Sequence, residues 1–108
     1  MTIDSVAPTS RVAALPAMSP SYFWVHWSGT DNASSVASYS IDVSENGGAS
    51  WSAWLSNTTK TAAVYPGQPG KTYAFYSIAR DGAGNVESKT VAEATTQTTT
   101  GGNFQGSG

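Results

Sequence analysis

Hydrophobic and polar residues alternate in short runs along most of the chain, and clusters of Gly, Pro, Asn, Asp and Ser separate the runs. Successive side chains of a strand point to opposite faces, so each run predicts a half-buried strand. The sharpest case is Tyr73 to Ala79, where Tyr73, Phe75, Ser77 and Ala79 share one face. Pro69-Gly70 stands before it and Asp81-Gly82-Ala83-Gly84-Asn85 after it, which are turn signals. Ser21 to Trp27 sets Phe23, Val25 and Trp27 against Tyr22, Trp24 and His26, so both faces carry aromatics. Ala37 to Ser44 puts Tyr39, Ile41 and Val43 inward and Ser38, Ser40, Asp42 and Ser44 outward.

The remaining elements follow from the same grammar. Pro8 to Pro16 is an extended segment fenced by prolines, which suit an edge strand because they cannot donate to a ladder. Ser28 to Ser35 reads as a loop. Asn46-Gly47 predicts a type I′ hairpin turn leading into a short strand, Trp51 to Leu55. Asn57-Thr58-Thr59 predicts a turn, and Thr61 to Tyr65 a strand with Ala62 and Val64 inward. Pro66 to Gly70 crosses between sheets and delivers Tyr73, which can bury its ring while its hydroxyl ties down the crossover, the tyrosine-corner device. Thr90 to Thr95 is the last strand. The expected fold is all-β: a seven-stranded antiparallel β-sandwich, immunoglobulin-like.

Bulk properties narrow the function. A chain of 108 residues supports one core and buries about two-thirds of its unfolded surface. Residues 7–96 are expected to form the domain, residues 1–6 an N-terminal linker, and the nearly apolar-free 97–108 a disordered linker or tail. Lys60, Lys71, Lys89, Arg11 and Arg80 are scattered, whereas a nucleic-acid binder clusters its cations to displace counterions from phosphates. The chain has no cysteine and one histidine, which excludes a disulfide framework, a thiolate metal site and a His-pair zinc site. No apolar run approaches the roughly 20 residues that span a bilayer. Ser, Thr, Ala and Gly are abundant while Lys and Glu are scarce, a balance of exported bacterial modules. Met1 stands directly before Thr2-Ile3-Asp4 with no leader, so the stretch is expected to have been cut from a longer exported protein.

With Phe23-Trp24-Val25-His26-Trp27, Trp27-Ser28-Gly29-Thr30-Asp31, Ala37-Ser38-Tyr39, Glu45-Asn46-Gly47-Gly48, Trp51 with Trp54, and Asp81 to Glu87, the chain resembles a fibronectin type III module of large secreted bacterial proteins. The likeness covers roughly residues 7 to 96. It implies that Phe23, Val25 and Trp27 face the core, and that the domain is a non-catalytic extracellular spacer or orientation module, monomeric, whose partners are neighbouring domains of the same polypeptide. Integrin binding is not implied, because the order here is Arg80-Asp81-Gly82 in place of Arg-Gly-Asp.

Candidate chemistry is thin. Nucleophilic catalysis needs a base within reach of a serine and a third group to orient that base. His26 is expected on an outer face, and no Gly-x-Ser-x-Gly elbow exists, so no catalytic residue is expected. The seven acids are dispersed, which serves paired-carboxylate chemistry poorly. No cofactor-binding or metal residue is expected outright. Calcium is the open alternative: Asp4, Asp31, Asn32, Asp81, Asn85 and Glu87 would meet at one end of such a sandwich, and calcium takes six to eight oxygen ligands. The competing account is that Asp31 and Asp81 hydrogen-bond their own turns. Tyr22, Trp24 and Tyr65, with Tyr76 and one of Trp51 or Trp54 on the opposite sheet, are expected outside. There they shield their own sheets, cover a neighbouring domain or stack on sugars. The alternatives to a spacer are therefore a weak carbohydrate- or surface-binding module and a calcium-stiffened adhesin repeat. Asn32-Ala33-Ser34 and Asn57-Thr58-Thr59 match the glycosylation acceptor pattern in expected loops. None of the three lysines is expected on an inward face, which argues against an intramolecular isopeptide bond.

Overall fold

A computed structural model describes residues 7–30 and 36–99. Its strands are β1 (Thr9–Val12), β2 (Met18–Ser19), β3 (Tyr22–Thr30), β4 (Val36–Ser44), β5 (Ser52–Thr58), β6 (Ala62–Pro66), β7 (Thr72–Asp81) and β8 (Ala94–Thr98). They form a three-stranded sheet in the order β1-β3-β6 and a five-stranded sheet in the order β2-β8-β7-β4-β5. Every pairing is antiparallel except that of β2 with β8. The described residues are all-β, as the alternation predicted.

The two sheets share one core. Val12, Phe23, Val25, Trp27 and Tyr65 come from the smaller sheet; Tyr39, Ile41, Val43, Tyr73, Phe75, Ala79 and Ala94 come from the larger. Its centre is aromatic: the Tyr65 ring lies 5.0 Å from Trp54, 5.0 Å from Tyr73 and 5.3 Å from Phe75, each near edge-to-face, the arrangement that ring quadrupoles favour. Trp27 is buried with its indole N–H donating to the Lys60 carbonyl at 2.8 Å, so the ring enters the core without an orphaned donor. The inward sets expected of β3, β4 and β7 are all buried, Ser77 outside the apolar cluster.

Tyr73 closes the crossover as expected, with one difference of sense. Its ring is buried, and its hydroxyl accepts a hydrogen bond from the Gln68 backbone N–H at 2.7 Å. Gly67 makes this possible. A Cβ at that position would fall 2.8 Å from the Ser21 carbonyl oxygen and 2.9 Å from Tyr73 Cε2.

Other expectations are corrected. In β6 the faces are reversed: Tyr65 is buried and Val64 exposed, because the register pairs Trp24 with Val64 and Phe23 with Tyr65, and a one-residue slip in a strand inverts every side chain. The large ring fills the intersheet gap that Val64 and Ala62 would leave open. The β4–β5 hairpin is wider than a two-residue turn, closing at Val43 and Ser52. Its loop is held by Asn46 Oδ1, which accepts from Ser44 Oγ and from the Ser50 N–H, with Gly47 and Gly48 at φ of 74° and 105°. Asn57 is no hairpin turn; it is a bulge in β5 at φ 51°, where the register with β4 shifts.

β3 runs on to Thr30, past the expected loop start. The Pro8–Pro16 segment is only partly strand, and beyond Pro16 the chain changes sheets to form β2 against β8. The last strand is Ala94–Thr98, not Thr90 to Thr95, so two residues of the expected tail belong to the sheet.

These pairings fix where the chain enters and leaves. Thr9 lies opposite Thr30 at the end where β7 finishes, since Ser10 Oγ meets Ser77 Oγ at 2.7 Å. Thr98 lies at the other end, where its N–H donates to the Lys71 carbonyl and its own carbonyl accepts from the Gly70 N–H. The stretch from Lys71, just before β7, to Ser77 covers about 20 Å at the strand rise of ~3.3 Å per residue, so entry and exit are at opposite poles.

Candidate functional site

Two aromatic groups lie on the outer faces, and they differ. On the three-stranded sheet, Tyr22 and Trp24 are 67% and 59% exposed, and His26 continues the row with its ring stacked on Trp24 at 6.0 Å and 27°. Pro66, Val64 and Ala62 lie opposite them on β6. On the five-stranded sheet, Tyr76 was expected outside and is on the outer side, yet only 5% exposed. Trp51 covers it edge-on at 4.6 Å, and its hydroxyl donates to Asp42 Oδ2 at 2.7 Å. Burial first, then the hydrogen bond to Asp42 and its charge, push the Tyr76 phenol up to about 12. Trp54 belongs to the core. Exposed rings thus mark one face among the described residues, where the sequence had suggested two.

Of the calcium candidates among the described residues, Asp81 and Asn85 are in contact and Glu87 is not with them. Asp4, Asp31 and Asn32 lie outside the described residues. The Asp81 carboxylate is turned into its own loop, accepting from the Ala83 and Asn85 N–H groups at 2.9 Å each and from Asn85 Nδ2 at 3.0 Å. Asp81 is buried, and these bonds are of the kind that Asp makes in a turn beside glycine. Glu87 points elsewhere. Among the described residues no group of three or more His, Cys, Asp or Glu is placed to hold a metal ion.

Glu87 instead joins a cluster that alternation could not reveal. β8 pairs only with Thr72 to Phe75 of β7, so further along that edge the Ser77 and Ala79 N–H groups have no ladder partner. β1, the edge of the other sheet, presents the Ser10 and Val12 N–H groups to the same seam. Two carboxylates take all four: Glu87 accepts from Ser10 N and Ala79 N, and Glu93 from Val12 N and Ser77 N, each at 3.1 Å. Lys89 braces the pair, donating to Glu87 Oε2 at 2.9 Å, to Glu93 Oε2 at 2.6 Å and to the Ser10 carbonyl. Ser10 Oγ donates to Glu87 Oε1 at 2.6 Å. Burial works to raise the Glu87 carboxyl, but the Ser10 hydroxyl, Lys89 and the two backbone N–H groups outweigh it and hold it below its usual value.

Lys89 was expected away from any inward face, and here it is largely enclosed between two acids. A condensation to an amide needs a neutral acid, whereas the hydrogen bonds around Glu87 favour its ionised form. The serines of the cluster are equally unsuited to attack a substrate, since Ser77 is 0% exposed and Ser10 is buried. His26 is exposed on the opposite side of its strand from the core, where its ring contact is Trp24.

Other surfaces carry less. A shallow cleft of about 410 Å³ is lined by Thr9, Ser10, Arg11, Ser28, Gly29 and Thr30, with one cation. No helix among the described residues is long and apolar enough to cross a membrane. No protein-family model matches the chain, and no curated protein does either.

Proposed function

We propose that this domain is a non-catalytic, extracellular, fibronectin type III-like spacer that sets the distance and orientation of neighbouring domains in a larger exported protein. The observation that carries the reading is the placement of entry and exit at opposite poles, which lets a module lie in line between its neighbours. The strand count agrees with it: taken as one strand that changes sheets at Pro16, β1 and β2 reduce the eight strands to seven. Its buried polar groups are consumed by the fold, with Asp81 in its loop and Glu87, Lys89 and Glu93 in the seam.

Spin labels on the exposed Thr9 and Thr99 test it. A single narrow distance of about 20 Å or more, at the strand rise along β7, is expected. A broad or much shorter distribution overturns the spacer.

The single exposed aromatic face favours a second reading, a carbohydrate- or surface-binding accessory module in which Tyr22 and Trp24 stack on sugar rings. Saturable micromolar binding to a polysaccharide, abolished by Trp24→Ala, would put this reading first; no binding to a panel of plant, fungal and bacterial polysaccharides at millimolar sugar would end it.

A further inference from the structure

We propose that Glu87, Lys89 and Glu93 form a latch that holds β1 across the seam between the sheets, and that β1 detaches as a local unit when the Glu87 carboxylate loses its charge. The geometry behind this is a substitution. Where a further strand would cover β7 beyond Phe75, the chain from Ser88 to Ala92 swings out, leaving Val91 71% exposed. Glu87 N bonds the Ala79 carbonyl before the excursion and Glu93 N bonds the Phe75 carbonyl after it. Their side chains reach into the gap and do the work of a ladder, for β7 on one side and β1 on the other.

Such a connection differs from a ladder in one respect: it titrates. An ionised carboxylate accepts on both oxygens, whereas a protonated one becomes partly a donor and faces N–H groups that cannot accept. The groups around the latch offer no substitute charge. Lys89 is the cation in contact with both acids. Arg11 on β1 and Arg80 on β7 are exposed and pair with neither, and Asp81 is committed to its own loop. β3 and β8 contribute no charged side chain to it. Two carboxylates and one ammonium leave a net charge of −1 in the seam, offset by the four N–H dipoles, so loss of a carboxylate charge removes the reason for those contacts.

The Glu87 carboxyl is held below its ordinary value of 4.5. A depressed folded-state value contributes stability that is present above the unfolded value and lost as pH falls through the folded one. The latch therefore holds fully above about pH 4.5, weakens below it and is lost as pH falls through the depressed Glu87 value. β1 has only four residues, and its remaining ladder is with β3 alone, so its local opening costs less than unfolding the β4–β7 ladder.

Amide hydrogen exchange followed by NMR on the whole domain tests this. In Glu87→Gln and in Glu93→Gln, protection factors at Ser10 and Val12 should fall about tenfold or more, the loss of one charge-assisted hydrogen bond, while those of Ile41 and Val43 fall less. The wild-type protein, followed from about pH 6 down through the titration of Glu87 after correction for intrinsic exchange, should show the same selective loss and needs no variant to fold. Unchanged protection at Ser10 and Val12, or a uniform fall along all strands, overturns the latch.

Discussion

Gly67 and Tyr73 allow the crossover between the sheets to be tested as a unit. Replacing Gly67 by Ala adds one carbon, 2.8 Å from the Ser21 carbonyl oxygen and 2.9 Å from Tyr73 Cε2. Neither neighbour can give: one is backbone of the segment entering β3, the other a ring fixed in the core. The crossover must move out instead, stretching the bond from Gly67 N to that same Ser21 oxygen at 2.9 Å and the bond from Gln68 N to the Tyr73 hydroxyl at 2.7 Å. Overpacking of this kind costs about 1–3 kcal/mol, and the narrower unfolded ensemble of alanine returns ~0.4–1 kcal/mol. The expected net loss is about 1–2 kcal/mol, a fall in Tm of roughly 4–16 °C for a domain of this size. Urea denaturation at constant m-value measures it. Tyr73→Phe leaves the ring and removes the acceptor of the Gln68 N–H, for about 1 kcal/mol, and up to ~3 if that donor is left without water. Because both changes act on one contact, the double variant should lose less than the sum of the two. Gly82→Ala is the control, since a Cβ there meets no described atom within 4 Å. If Gly67→Ala is as mild as Gly82→Ala, or if the two losses simply add, the crossover is not held against Tyr73 and the account fails.

Phe75→Ala, which opens a cavity beneath Phe23, Trp54 and Tyr65, should cost about 3–5 kcal/mol in the same denaturation assay; a loss under 1 kcal/mol would contradict the placement of its ring. Tyr76→Phe removes a bond to an ionised acceptor and should cost about 1–2 kcal/mol, the low end of such bonds because Asp42 is only half-buried. The phenol itself should titrate at about 12. A tyrosine whose folded value is raised contributes stability that is whole below its unfolded value of about 10 and fades as pH rises toward 12, so alkaline ultraviolet titration should show a late-ionising phenol that Tyr76→Phe deletes. Trp24→Ala should be nearly silent in stability while Trp54→Ala is costly, by about 3–5 kcal/mol, which calorimetry can separate.

The legible strands were marked in different ways: β4 by a contrast between its faces, β7 by its punctuation, and β3, aromatic on both faces, by the resemblance. In β4, Tyr39, Ile41 and Val43 alternate with serines and an aspartate, and in β7 a turn signal stands at each end. β6 lacked that contrast. Ala62, Ala63, Val64 and Tyr65 are all apolar, and the choice of face depended on the space left between Phe23, Trp54, Tyr73 and Phe75, a quantity set by four other segments. β8 failed for the opposite reason. Its buried positions include Thr96 and Thr98, held by Ser19 Oγ at 2.6 Å and by the Gln68 carbonyl, so its inward face is polar and gives no hydrophobic period. The β-branched Thr90 and Val91 attracted the assignment and are exposed.

The seam was illegible at a deeper level. Glu87, Lys89 and Glu93 did not read as one cluster, Glu93 falling in the expected last strand and Glu87 among the calcium candidates, because their partners, Ser10 and Val12, are more than seventy residues away in sequence. What gives these charges meaning is a shortage: β8 pairs only with Thr72 to Phe75 of β7, and buried N–H groups left unpaired further along that edge are costly. A carboxylate is a compact way to satisfy two such groups at once, and a lysine between two carboxylates limits the charge that burial would otherwise penalise. The same reasoning separates this cluster from a catalytic one. Its carboxylates accept from backbone N–H groups of both sheets, its serines are closed to solvent, and every polar atom named is matched within the fold. It follows that substitutions in the seam should alter how firmly β1 is held while leaving Tyr22, Trp24 and the outer face as they are, so the mechanical and the binding readings of this domain can be tested independently.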